Sequence, residues 1–120
     1  MVEFGSLPSQ IQELANRHLT SCTIRFCALG GSQVFQPDFV VLTDSQLLVL
    51  TEQSMLSLYP FAIMRFDVNI LEIRCISIEQ TLWQKIIRQS QLKIETPQST
   101  YFINGLNLVD ARKITQLILS

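Results

Sequence analysis

Phe39-Val-Val-Leu-Thr-Asp-Ser-Gln-Leu-Leu-Val-Leu-Thr51 is the stretch on which the fold turns. Two β-rich runs meet at Asp44-Ser45, residues whose side chains favour tight turns by bonding nearby backbone. The simplest reading is a hairpin, and the remaining chain can be read outward from it.

Upstream, Cys22-Thr-Ile-Arg-Phe-Cys-Ala-Leu29 alternates, with Ile24 and Phe26 on one side, and predicts a first strand. Gly30-Gly-Ser then reads as a turn. Before that strand, Ser6-Leu-Pro-Ser-Gln opens a short amphipathic helix with Leu7, Ile11, Leu14, His18 and Leu19 at helical spacing. The apolar face of this arm has two uses open to it: folding back on the sheet, or packing against another copy.

Downstream, Met55 to Asp67 is β-like, with Pro60 confined to an edge or irregularity because it cannot donate to a ladder. Ile70-Leu-Glu-Ile-Arg-Cys-Ile-Ser-Ile78 reads as one partly two-sided strand. Gln91 to Thr96 and Ser99 to Ile103 flank Pro97-Gln98 as a late hairpin. Asn104-Gly105 interrupts that pattern. Asn107 then caps a closing helix whose inward positions include Leu108, Ala111, Ile114 and Ile118, with Leu117 alongside.

Strands in series closed by a helix make an α+β domain. At 120 residues the chain fits a single domain that buries roughly two-thirds of its unfolded surface. Its expected divisions are a helical arm over 1–20, strands over 21–104 and a helix over 105–120.

Certain phrases carry a resemblance to the bacterial branch of the pleckstrin-homology-like (PH-like) superfamily. Val41-Leu-Thr-Asp-Ser-Gln-Leu-Leu-Val-Leu50 is similar to that family's "lTdkrLi" phrase. Glu79-Gln-Thr-Leu-Trp-Gln-Lys-Ile-Ile-Arg-Gln-Ser-Gln-Leu-Lys-Ile-Glu-Thr96 resembles its "sllqrllg-g-l-i-T" passage, with Gln89-Ser90 where a glycine is usual. The third likeness is the closing helix from Leu108 to Leu119. The resemblance implies a bent antiparallel β-barrel or sandwich of about seven strands with a C-terminal capping helix, here with an extra N-terminal helix. It also implies binding or assembly in place of catalysis. Phosphoinositide-binding members gather Lys and Arg at the first hairpin loop. The matching stretch here, Gly30-Gly-Ser-Gln-Val-Phe-Gln-Pro37, has no basic residue, so that function does not carry over.

Composition narrows the partners. Nine Lys and Arg against ten Asp and Glu leave a net charge of −1, too balanced for the field that drives nucleic-acid binding. Three cysteines, Cys22, Cys27 and Cys75, include no CxxC pair, which argues for buried, inert thiols in a reducing cytoplasm. The apolar runs fall far short of the roughly 18 residues of a membrane span. The hydrophobic fraction of 48% suits a densely packed or self-associating chain.

No residue pattern selects catalytic, cofactor or metal groups. His18 is the sole histidine and sits at helical spacing with Leu14 and Leu7, which favours a packing or surface role. A pocket where His18 met a carboxylate or Cys75 would restore an enzymatic reading.

Between Glu79 and Glu95 there is no acid, while Lys85, Arg88 and Lys93 make the window positive by three. Within it Leu82, Trp83, Ile86 and Ile87 follow i, i+1, i+4, i+5, one stripe of a short helix. Leu82, Trp83, Lys85, Ile86, Ile87, Arg88 and Lys93 form the candidate interaction surface. It has three open uses: packing on the sheet, anchoring a protein partner or a second copy, and weak peripheral contact with a membrane. The expectation is a non-catalytic protein-interaction or self-assembly module, with a peripheral membrane module as the alternative.

Overall fold

The computed structural model describes residues 2–20, 23–32, 36–53 and 61–119. After a 3-10 turn at Phe4–Ser6 come helix α1 (Ser9–His18) and strands β1 (Ile24–Ser32), β2 (Gln36–Thr43), β3 (Gln46–Gln53) and β4 (Phe61–Asn69). A 3-10 turn at Ile70–Glu72 leads to β5 (Cys75–Glu79), α2 (Leu82–Ile86), β6 (Gln89–Glu95), β7 (Thr100–Asn107) and α3 (Leu108–Leu119). The strands form two antiparallel sheets, β1-β2-β3-β4 and β5-β6-β7. The α+β class and the closing helix hold, but among the described residues the strands do not join into one closed barrel.

The opening hairpin shows why its two runs are almost wholly apolar. Cross-strand partners share a face: Val40 pairs with Val49 and Leu42 with Leu47, while Phe39 pairs with Leu50 and Val41 with Leu48. The first set packs with Phe26, Phe66, Leu92, Ile94, Ile103 and Ile114 between the two sheets and α3. The second set packs on the opposite face with Leu7, Ile11 and Ala15 of the amino-terminal arm. Both faces of this sheet are buried, so alternation gives way to continuous hydrophobicity. Much of the chain's apolar content is thereby used internally, and the arm folds back on the sheet. At the bend, the Thr43 Oγ1 accepts from the Ser45 and Gln46 amides at 3.1 and 2.9 Å.

Gly30 and Gly31 do not end their strand. β1 continues to Ser32, pairing Gly30 with Asp38 and Gly31 with Pro37. The glycines serve a crossing of backbones: a Cβ on Gly30 would stand 2.9 Å from the Asn104 carbonyl oxygen, and one on Gly105 only 2.4 Å from that of Gly31. Gly105 has φ +69°, and it forms with Asn104 a β-bulge opposite Gln91, because Ser90 pairs with Leu106 and Leu92 with Ile103. β7 therefore runs on past Asn104-Gly105 to Asn107, whose side chain accepts from the Val109 amide at 2.8 Å to start α3.

The Ile70 to Ile78 segment is not one strand. Asn69 accepts from the Leu71 amide at 2.9 Å and folds Ile70–Glu72 into a 3-10 turn, leaving only Cys75–Glu79 to pair with β6. Of the β-like material before it, Met55 and Pro60 lie outside the described residues, as does Cys22. No helix among the described residues is long and apolar enough to cross a membrane.

Candidate functional site

The segment between β5 and β6 is a short helix held at both ends. Thr81 caps it: its Oγ1 accepts from the Gln84 amide at 3.2 Å, and Gln84 Oε1 accepts from the Thr81 amide at 2.9 Å. This reciprocal capping box is encoded by the spacing of Thr81 and Gln84, a signal the apolar periodicity alone does not use. The last turn closes through the Ile87 amide on the Trp83 carbonyl at 3.2 Å. Arg88 then takes a left-handed conformation, φ 58°, the backbone region in which helix ends most often place glycine. Its carbonyl accepts from the Leu108 amide at 3.1 Å, which fastens the end of α2 to the start of α3. The Gln80 side chain donates to the Gln89 carbonyl at 2.8 Å across the base of the excursion.

The apolar stripe lies mostly at the surface, with Ile87 its most covered member. Leu82 is 82% exposed, Trp83 66%, Ile86 73% and Ile87 42%. These values rule out packing on the sheet as the main use of the four side chains. Lys85 and Arg88 are also exposed and make no ion pair among the described residues. Val109, in the first turn of α3 and one residue past the Arg88–Leu108 bond, is exposed as well; it falls off the inward stripe of that helix.

Lys93 is placed differently from its expected companions. It lies in β6 on the side facing away from the core and pairs with Glu95 at 3.2 Å. Six of the seven candidate residues thus lie on α2 and the two residues that follow it, and the seventh is locally neutralised in a strand.

An open cleft of about 290 Å³ borders the turn, lined by Leu29, Ile87, Arg88, Gly105, Asn107 and Asp110 among others. Asp110 is buried there. Asp110 does not stand out in the sequence, and Asn107 stands out only as a helix cap, because their proximity to Arg88 depends on the long-range pairing of β6 with β7.

The remaining reactive groups are dispersed. Burial pushes the Cys27 thiol up to about 11, so it stays protonated at neutral pH. Cys75, expected to be buried, is exposed on β5, where Ile76 and Ile78 pack toward the core. His18 does meet a carboxylate, with Nδ1 3.6 Å from Asp67 Oδ2. The pair is a surface latch: both side chains are partly exposed, and Asp67 also accepts from the Gln46 side chain at 3.1 Å. Among the described residues no group of three or more His, Cys, Asp or Glu is arranged to hold a metal ion.

No protein-family model matches the chain, and no curated protein matches it in sequence.

Proposed function

We propose that this chain is a non-catalytic docking module of PH-like fold and that the α2 turn is its working surface. The single observation that carries the reading is the exposure of four large apolar side chains on a turn that is capped, closed and tied to α3. Exposed apolar side chains gathered on a fixed element mark a contact surface, and Trp is a frequent anchor of such contacts. Two sheets of four and three antiparallel strands followed by a helix support the PH-like part of the proposal. So does the position of α2 between the fifth and sixth strands.

The counterpart anticipated from the sequence is another protein or a second copy, and the Trp83 and Ile86 side chains suit that use. A membrane surface is the second reading, favoured by Lys85 and Arg88 beside them, which make no ion pair among the described residues. The proposal includes a reducing cytoplasmic setting, for which the free thiols of Cys27 and Cys75 argue.

A Leu82→Ser/Trp83→Ser/Ile86→Ser variant tests the surface itself. It should melt within a few degrees of the wild type, since these side chains have little packing to lose. Any association of the wild type, followed by light scattering over a concentration series or by vesicle sedimentation, should disappear in it. Unchanged association in the variant would remove α2 from the reading.

A further inference from the structure

The α2 turn combines two properties that together select a counterpart. Leu82, Trp83, Ile86 and Ile87 give it an apolar face, while Lys85 and Arg88 give it positive charge; the sequence has no acid between Glu79 and Glu95, and the one acid lining the cleft beside Arg88, Asp110, is buried. A counterpart must therefore accept apolar side chains and supply negative charge within a few ångströms of them.

A second copy meets the first demand and fails the second. A two-fold contact through this turn would bring Lys85 and Arg88 of one molecule against the same cations of the other, and like charges at an interface select against a partner. A five-residue helix also falls short of the ~800 Å² per partner that a standard protein interface buries. A bilayer has neither difficulty. Its surface adapts to a convex projection, its interfacial zone takes Trp with aliphatic neighbours, and anionic lipids attract Lys and Arg set beside the inserted face.

Resting on the reading of α2 as the working surface, we infer that this turn inserts into the interface of anionic membranes. Leu82, Trp83, Ile86 and Ile87 enter the headgroup boundary while Lys85 and Arg88 engage lipid phosphates. The contact uses surface charge and apolar insertion, so it responds to the amount of negative charge and not to one lipid's structure. It is also weak: two cations and four side chains make a reversible anchor.

The chain's one tryptophan makes the test direct. Full-length protein is mixed with vesicles of phosphatidylcholine alone and of phosphatidylcholine with phosphatidylglycerol or phosphatidylserine, and is followed by Trp83 emission and by co-sedimentation. Anionic vesicles of either kind should shift the emission to the blue, shield it from a soluble quencher and pellet the protein. Lys85→Ala/Arg88→Ala should lower the partition coefficient roughly 30-fold at low salt. Trp83→Ala should abolish pelleting while its circular dichroism melt stays that of the wild type. Added salt should release the wild type. Absence of binding to anionic vesicles at low salt, or binding that the variants leave unchanged, overturns the inference. Light scattering on the same proteins separates the two levels. If vesicles fail but self-association or binding to an acidic protein depends on α2, the membrane assignment falls and the docking surface stands. If nothing depends on α2, both fall.

Discussion

The buried carboxylate of Asp38 in β2 is met by the guanidinium of Arg65 in β4, which also reaches toward the Phe102 carbonyl of the second sheet at 3.5 Å. Arg65 is the extra residue where the β3–β4 register shifts between Val49 and Leu50. Burial raises the pKa of Asp38, and the charge of Arg65 and its hydrogen bond oppose that rise. With its folded pKa above the unfolded value, Asp38 contributes stability that is complete below the unfolded pKa and lost as pH rises through the folded one. Arg65→Met raises that pKa further, so urea denaturation should show a loss of about 2 to 3 kcal/mol near neutral pH. The loss should be smaller near pH ~4, where the unpaired carboxyl takes up a proton. Asp38→Asn should remove the pH dependence assigned to this group.

Gln46 fastens the arm to the sheet. Its Nε2 donates to the His18 carbonyl at 2.9 Å and to Asp67, while its Oε1 accepts from the Thr20 amide at 2.8 Å. Gln46→Leu leaves these groups without their partner and should cost about 1 to 3 kcal/mol. Hydrogen exchange should localise the effect to α1 and the residues that follow it, with β6 and β7 unaffected.

Arg88 holds a left-handed conformation that costs an L-residue roughly 1 to 2 kcal/mol. Arg88→Gly should raise stability by up to about 1 kcal/mol, since glycine's gain in this conformation is partly offset by its freer unfolded chain. Arg88→Val should lower stability, because a β-branched residue fits this region worst. Thermal melts of the two variants on either side of the wild type would check the assignment.

Local chemistry explains what the sequence made legible. The hairpin at Asp44-Ser45, the late hairpin at Pro97-Gln98, the Asn107 cap and the short helix at 82–86 all depend on neighbours a few residues apart. Gly30-Gly31 misleads because the reason for those glycines lies on β7, about seventy-five residues away, where only a bare backbone fits against Gly105. Ile70 to Ile78 misleads because one side chain, Asn69, turns an alternating pattern into a 3-10 turn. The candidate site divides in the same way. Periodicity put Leu82, Trp83, Ile86 and Ile87 on one stripe, but a stripe has the same spacing whether it faces a core or solvent. Lys93 shares a positive window with Lys85 and Arg88, yet strand alternation gives it Glu95 as a neighbour two residues on. The Asp38–Arg65 and Gln46–Asp67 contacts join strands far apart in sequence, and nothing in their local patterns announces them.

The lone tryptophan reports most directly on the α2 turn as an outward-facing surface. Dilute wild-type protein should emit like indole in water, and a soluble quencher should reach Trp83 nearly as readily in the native state as in urea. A blue-shifted emission protected from the quencher in the dilute native protein would contradict an exposed α2 face, and with it the docking surface.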